Sequence, residues 1–115
     1  MPDLSGIDAG CLSEAATVGL CEGATETYAS AVVGALPTDE ADGELVDAAV
    51  FIALRVLESV CNPPNPIEVA ALTILADSIS DPVLAQQVLD LIDAVATCNE
   101  IPVAAIGVPT FASAN

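Results

Sequence analysis

Basic side chains are almost missing from this chain. There is no Lys and no His, and the one Arg, Arg55, stands against 17 Asp and Glu, for a net charge of −16. Phosphate backbones are held by Lys and Arg, so the charge excludes nucleic acid as a partner class. Anionic membrane surfaces are disfavoured on the same ground. Without His or Lys, a Ser or Cys nucleophile lacks its usual base. Phosphoryl transfer lacks both its cationic clamps and its phosphate loop. A carboxylate pair can still do acid–base work. With so many acids on helical wet faces, however, close pairs arise by chance, and a non-catalytic protein is expected.

Other scarcities narrow the field further. Trp is missing, and the aromatics are Tyr28, Phe51 and Phe111. No apolar run approaches the 18 or so charge-free residues of a membrane span, so no transmembrane segment is expected. The four cysteines, Cys11, Cys21, Cys61 and Cys98, include no CxxC pair and have no His to join them, which leaves the zinc reading weak. No metal or cofactor is expected. The opening residues, "MPDLSG", show no basic and apolar leader pattern, so an extracellular form is expected to be a mature chain with an added Met.

What is present is apolar and aliphatic. Hydrophobic residues make up 54% of the 115 positions and mean hydropathy is +0.69. High charge alone does not make a chain disordered; low hydrophobicity is needed too, and it is not found here. The length fits one domain able to bury roughly 65% of its unfolded surface. Abundant Ala and Leu favour helix, and β-formers other than Val and Ile are scarce. With one base for all the acids, most carboxylates must be solvated, capped, metal-bound or protonated. Adaptation to high salt is a secondary explanation of the acidity.

The punctuation predicts four to five amphipathic helices in a compact, disulfide-stabilised all-α bundle over residues 1–101, followed by an extended tail or start of a linker at 102–115. In "NPPNPIEVAALTILADSIS", Asn65 reads as N-cap, Pro66 as the first helical residue and Glu68 as the partner in a capping box. In "SDPVLAQQVLDLIDAVATCN", Asp81 and Pro82 open a helix with Leu84, Val88, Leu91 and Val95 on one stripe. Gln86, Asp90, Asp93 and Thr97 form its wet stripe. A third helix is expected over about 40–61 and another over about 22–36, with Glu22, Glu26 and Ser30 exposed. The first segment is expected to be helical in part, with breaks at Gly10 and Gly19.

An even cysteine count in a short chain suggests two disulfides and an oxidising, extracellular compartment; reduced core thiols are the alternative. In an up-and-down bundle Cys61 and Cys98 end at one pole, and Cys11 would pair with Cys21 across a break near Gly19, one of three connectivities that four cysteines allow. One continuous helix would hold those two about 15 Å apart, too far to bond.

The third helix, around "VDAAVFIALRVLESVC", is apolar over most of its girth, which suggests a central place. Its remaining face carries Glu44, Asp47, Phe51, Arg55 and Glu58 at steps of three and four. Phe51 and Arg55 suit a cation–π contact, and Arg55 can pair with Glu58. Either the tail covers Phe51, through Phe111, or the stripe around Asp47, Phe51, Arg55 and Glu58 is a two-fold interface. Upstream, Asp39, Glu40, Asp42 and Glu44 could bind a cation weakly, but a solvated acidic first turn is the stronger reading. Acid pairs at helical spacing, Glu22 with Glu26, Glu40 with Glu44, Glu44 with Asp47 and Asp90 with Asp93, should push some carboxyls upward.

The small size, Ala-rich amphipathic helices, acidity and a small-residue tail such as "TFASAN" are together similar to the terminal assembly domains of silk-type proteins. Insect odorant-binding proteins are also small, acidic and helical, but the cysteine spacing here departs from theirs. Neither resemblance assigns a role to a residue. The expected function is that of a secreted module in self-association or assembly, a homodimer or larger homo-oligomer favoured by mildly acidic pH or high salt. The alternative is an extracellular carrier of a small apolar ligand, lipid or pheromone-like.

Overall fold

The computed structural model describes residues 4–60 and 63–98, with the backbone alone at 59 and 60. These residues form five α-helices: α1 (Ser5–Cys11), α2 (Val18–Ala35), α3 (Thr38–Arg55), α4 (Pro66–Ser78) and α5 (Pro82–Thr97). A π-helical turn, Val56–Val60, continues α3. No strand occurs among the described residues. Residues 102–115, expected as a tail, lie outside them, as do Cys61 and Phe111.

Local chemistry explains three of the helix ends. Thr17 is extended and its Oγ1 accepts from the Leu20 amide at 3.2 Å, which starts α2. The Asp81 carboxylate accepts from the Val83 amide at 2.8 Å, and Pro82 occupies the first turn of α5, as the sequence predicts. Cys98 closes α5 in the left-handed region, with φ 58°.

Several features differ from expectation, among them the start of α2 at Val18, four residues before the expected 22. The break between the first two helices falls at 12–17, not at Gly10 or Gly19. Gly19 sits in the first turn of α2. Gly10 lies inside α1, where it allows close approach: a Cβ there would stand 3.1 Å from the Leu20 carbonyl oxygen and 3.2 Å from Ala24 Cβ. Helix α3 begins two residues earlier than 40, and its α-pattern ends at Arg55. Asn65 precedes α4, but it makes no side-chain cap, so the expected capping box with Glu68 does not form. Its backbone is left-handed, φ 51° and ψ 56°, a region that Asn enters more readily than most residues. The side chain turns instead toward α5 and donates from Nδ2 to the Val95 carbonyl at 2.7 Å.

Packing does not follow chain order. Helix α4 lies against α1, α2, α3 and α5, while the sequential neighbours α2 and α3 touch less than α2 and α4 do. Helix α3 is nonetheless buried around most of its girth: Ala41, Leu45, Val46, Ala48, Ala49, Val50, Ile52 and Ala53 are all within the core. The alanines let neighbouring helices come close, and Leu45, Ile52, Leu72, Leu75, Val88, Leu91 and Val95 fill the centre. Each such large side chain contributes about 1.5–3 kcal/mol by leaving water. On α5, Val88, Leu91 and Val95 are buried, Leu84 is partly so, and Gln86, Asp90, Asp93 and Thr97 face solvent. The 3.6-residue pattern therefore reads correctly along the whole helix.

Helix α1 is too short to stand alone. It is tied back by the Cys11–Cys21 disulfide, whose Cα atoms are 4.5 Å apart, and by Ile7, which is fully buried. Such a cross-link contributes about 2–4 kcal/mol, mainly by restricting the unfolded chain.

Asp42 is the carboxylate buried most deeply among the described residues, at 4% exposure. Its Oδ1 accepts from the Ser80 amide at 2.9 Å and its Oδ2 from the Asp81 amide at 3.1 Å. It thereby holds the α4–α5 connection against α3. Asp42→Ala should cost about 1–3 kcal/mol, because two amides lose their acceptor. Urea unfolding checks this; a midpoint equal to that of the parent would contradict it.

Candidate functional site

On α3, Phe51 and Arg55 are brought together as the spacing predicts, while Glu58 falls in the π-helical turn past the end of the α-pattern. Phe51 is half-buried and packs on the core. The Arg55 guanidinium stands 5.6 Å from the centre of the Phe51 ring. The ion pair seen for Arg55 runs to Asp8 of α1, with Nη2 to Oδ1 at 3.4 Å, in place of the expected contact with Glu58. Both side chains are about half exposed, 47% and 46%, so the pair contributes at most about 1 kcal/mol. Its geometric effect is larger than its energy: it joins the disulfide-bound α1 to the far end of α3. Asp47 and Glu58 are exposed. Asp8 was invisible from spacing, because the loop at 12–17 decides where α1 lands.

Higher up the helix, Glu44, Asp47 and Tyr28 of α2 form an electrostatic cluster. Burial, followed by the charges of Glu44 and Asp47, pushes the Tyr28 hydroxyl up to about 12. Tyr28 itself is buried. Partial burial and then the neighbouring Glu44 hold the Asp47 carboxyl above its ordinary range. Acid crowding, expected from the spacing at four pairs, contributes at this one, second to burial. Glu68, in the first turn of α4, is also raised by burial, with its own amide pulling the other way.

The expected cation group at the start of α3 does not converge. Asp39 and Glu40 are exposed, Glu44 lies half-buried toward Tyr28, and both oxygens of Asp42 already accept amides. Asp39, Asp42 and Asp81 do border one open cleft of about 380 Å³ with Thr38, Ser80 and Leu84. Among the described residues, no three Asp, Glu, His or Cys side chains are placed to hold one metal ion. No helix there is long and apolar enough to cross a membrane.

Of the expected disulfides, Cys11–Cys21 is formed. Its sulfurs are buried beside Thr25, whose hydroxyl donates to the Cys21 carbonyl at 2.7 Å. Cys98 is disulfide-bonded; Cys61, expected as its partner, lies outside the described residues. A second cleft, of about 240 Å³, opens between the α1–α2 loop and the first turn of α4, with Glu14 and Glu68 on its lining. Sequence reading missed it, since Glu14 and Glu68 are far apart in the chain. Compared with known proteins, the chain matches no family model, no curated protein and no solved structure.

The raised carboxyls set the sign of the pH dependence. A carboxyl whose folded pKa lies above its unfolded value favours the fold when protonated, and that contribution is lost as pH rises through the raised pKa. Asp47 and Glu68 both behave this way. The melting temperature should therefore climb as pH falls from 7.5 toward the upper edge of the ordinary carboxylate range, about 4.5. Asp47→Asn should flatten part of that climb. Calorimetry across this range checks it, and equal or lower stability at pH 5 would contradict it.

Proposed function

We propose that this chain is a secreted, non-catalytic helical module that acts by self-association, in mildly acidic conditions or at high salt. The observation that carries the reading is the α3 face itself. There a half-buried aromatic, Phe51, sits among acids, and one of them, Asp47, is already held toward its protonated form. A second copy brought against such a face meets like charge at neutral pH. Protonation or screening weakens that repulsion and leaves the apolar contact. Large apolar side chains left in solvent, Leu20 at 58% and Val33 at 52% on α2 and Val83 at 64% on α5, add area that an assembly can cover. The disulfides support an oxidising compartment.

The apolar-carrier alternative has less behind it. The two clefts described are open to solvent and do not enclose a ligand, and the centre of the bundle is filled by fully buried side chains. A lipid-sized ligand needs a chamber of roughly 300–1,000 Å³ that encloses most of its surface.

Sedimentation velocity separates the two. The assembly reading expects a larger mass at pH 5 than at pH 7.5, growing with protein concentration, and lost in Phe51→Glu. A monomer at both pH values, or an unchanged mass in Phe51→Glu, would overturn it. Displacement of a fluorescent fatty acid by that monomer would favour the carrier.

A further inference from the structure

Helix α5 ends beside an apolar cleft. Asn65 donates from Nδ2 to the Val95 carbonyl at 2.7 Å, and the same nitrogen lies 3.7 Å from Cys98 Sγ, so it clasps the last turn of α5. Asn65 also lines the cleft of about 240 Å³ between the α1–α2 loop and the first turn of α4. Residues 99–115, outside the described part, therefore start next to this cleft. Its apolar lining is Leu12, Ala16, Pro66 and Ile67. Leu12 and Ile67 pack on the core but stay partly exposed. Both walls are held in place: the loop lies in the ring closed by Cys11–Cys21, and Cys21 Sγ is 3.4 Å from the Ile67 carbonyl oxygen.

Charge and reach narrow the occupant. Glu14 and Glu68 border the cleft, so an acidic segment is repelled there. All 17 acids of the chain lie within residues 1–100. Residues 101–115, "IPVAAIGVPTFASAN", carry no ionisable side chain, and Ile101 and Val103 are their first large aliphatic residues after Cys98. Extended chain covers up to about 3.3–3.6 Å per residue, so residues 99–103 reach roughly 15 Å, enough to enter a cleft at their root. Pro102 favours extended backbone at Ile101, and in extended chain residues 101 and 103 point the same way.

We propose that the start of this tail docks in the cleft of its own molecule, with Ile101 and Val103 against Leu12, Ala16, Pro66 and Ile67. A tether of a few residues keeps the segment at an effective concentration of order millimolar, so modest apolar contact suffices. A tail from a second copy comes attached to a body of net charge −16 and is repelled at neutral pH. Docking here, rather than over Phe51, leaves the α3 face open. The inference goes beyond the assembly reading and does not depend on it.

The test is nuclear Overhauser spectroscopy on the intact oxidised protein at pH 7.5, with Ile, Leu and Val methyls and Phe rings labelled. Expected are cross-peaks from the Ile101 and Val103 methyls to those of Leu12 and Ile67. They should persist on dilution, and a mixture of labelled and unlabelled copies should show none between molecules. The double variant Ile101→Asp with Val103→Asp should lose them. Its amide shifts should change at residues 12–16 and 66–68, while the buried Leu75 and Leu91 methyls stay in place and report an intact fold. Absence of the cross-peaks in the parent protein would overturn the proposal. So would cross-peaks that arise only between copies, tail contacts to the Phe51 ring instead, or a folded double variant whose cleft amides do not move.

Discussion

Seventeen carboxylates share one guanidinium, and the rest of the molecule is arranged around that imbalance. Ion pairs cannot hold such a chain together. Cohesion comes from aliphatic packing, from backbone hydrogen bonds inside the helices, and from covalent closure at Cys11–Cys21. The carboxylates are handled in three ways. Most stand in solvent. Asp42 and Asp81 are given backbone amides in place of cations. Asp47 and Glu68 are left partly desolvated, with their carboxyls shifted upward. The single Arg is placed where one contact does most for geometry, between the end of α3 and the short α1.

The absence of bulky aromatics has a matching consequence. Helices that present Ala41, Ala48, Ala49, Ala53 and Ala71 to their neighbours pack closely, which suits a chain whose centre must exclude water without large rings. The two clefts described lie at the edges, where loops meet helix ends, and they are bordered by acids.

Much of this was legible from residue order, and the failures share a cause. Helix α5 could be read in full, because its cap, its proline and its two stripes are all local signals. The breadth of burial on α3 followed from hydrophobicity, and Cys11–Cys21 is one of the three connectivities the cysteine count left open. What could not be read were choices between partners. Asn65 had a local use as a cap and took a distant one at Val95. Arg55 had a local partner in Glu58, yet its observed ion pair is with Asp8. Asp42 belonged to an acidic run, and only the arrival of the α4–α5 connection gives it amide donors. In each case the competing contact depends on how helices are placed against one another, which spacing along one helix does not encode. Of the residues proposed as an interface, Asp47, Phe51 and Arg55 share a face of α3, as their steps of four require, while Glu58 lies in the π-helical turn beyond it.

The functional reading follows from the same imbalance. A surface crowded with one sign of charge keeps copies apart and strains the fold at neutral pH, and both effects relax together when charge is screened. The central claim is that unpaired like charge, not ion pairing, sets the electrostatic balance of this protein. Thermal melting at pH 7.5 across sodium chloride concentrations tests it most directly. From about 0.01 M to about 0.15 M the screening length falls from roughly 30 Å to 8 Å. Over that range the melting temperature should rise steadily, and a melting temperature that stays level or falls would contradict the account.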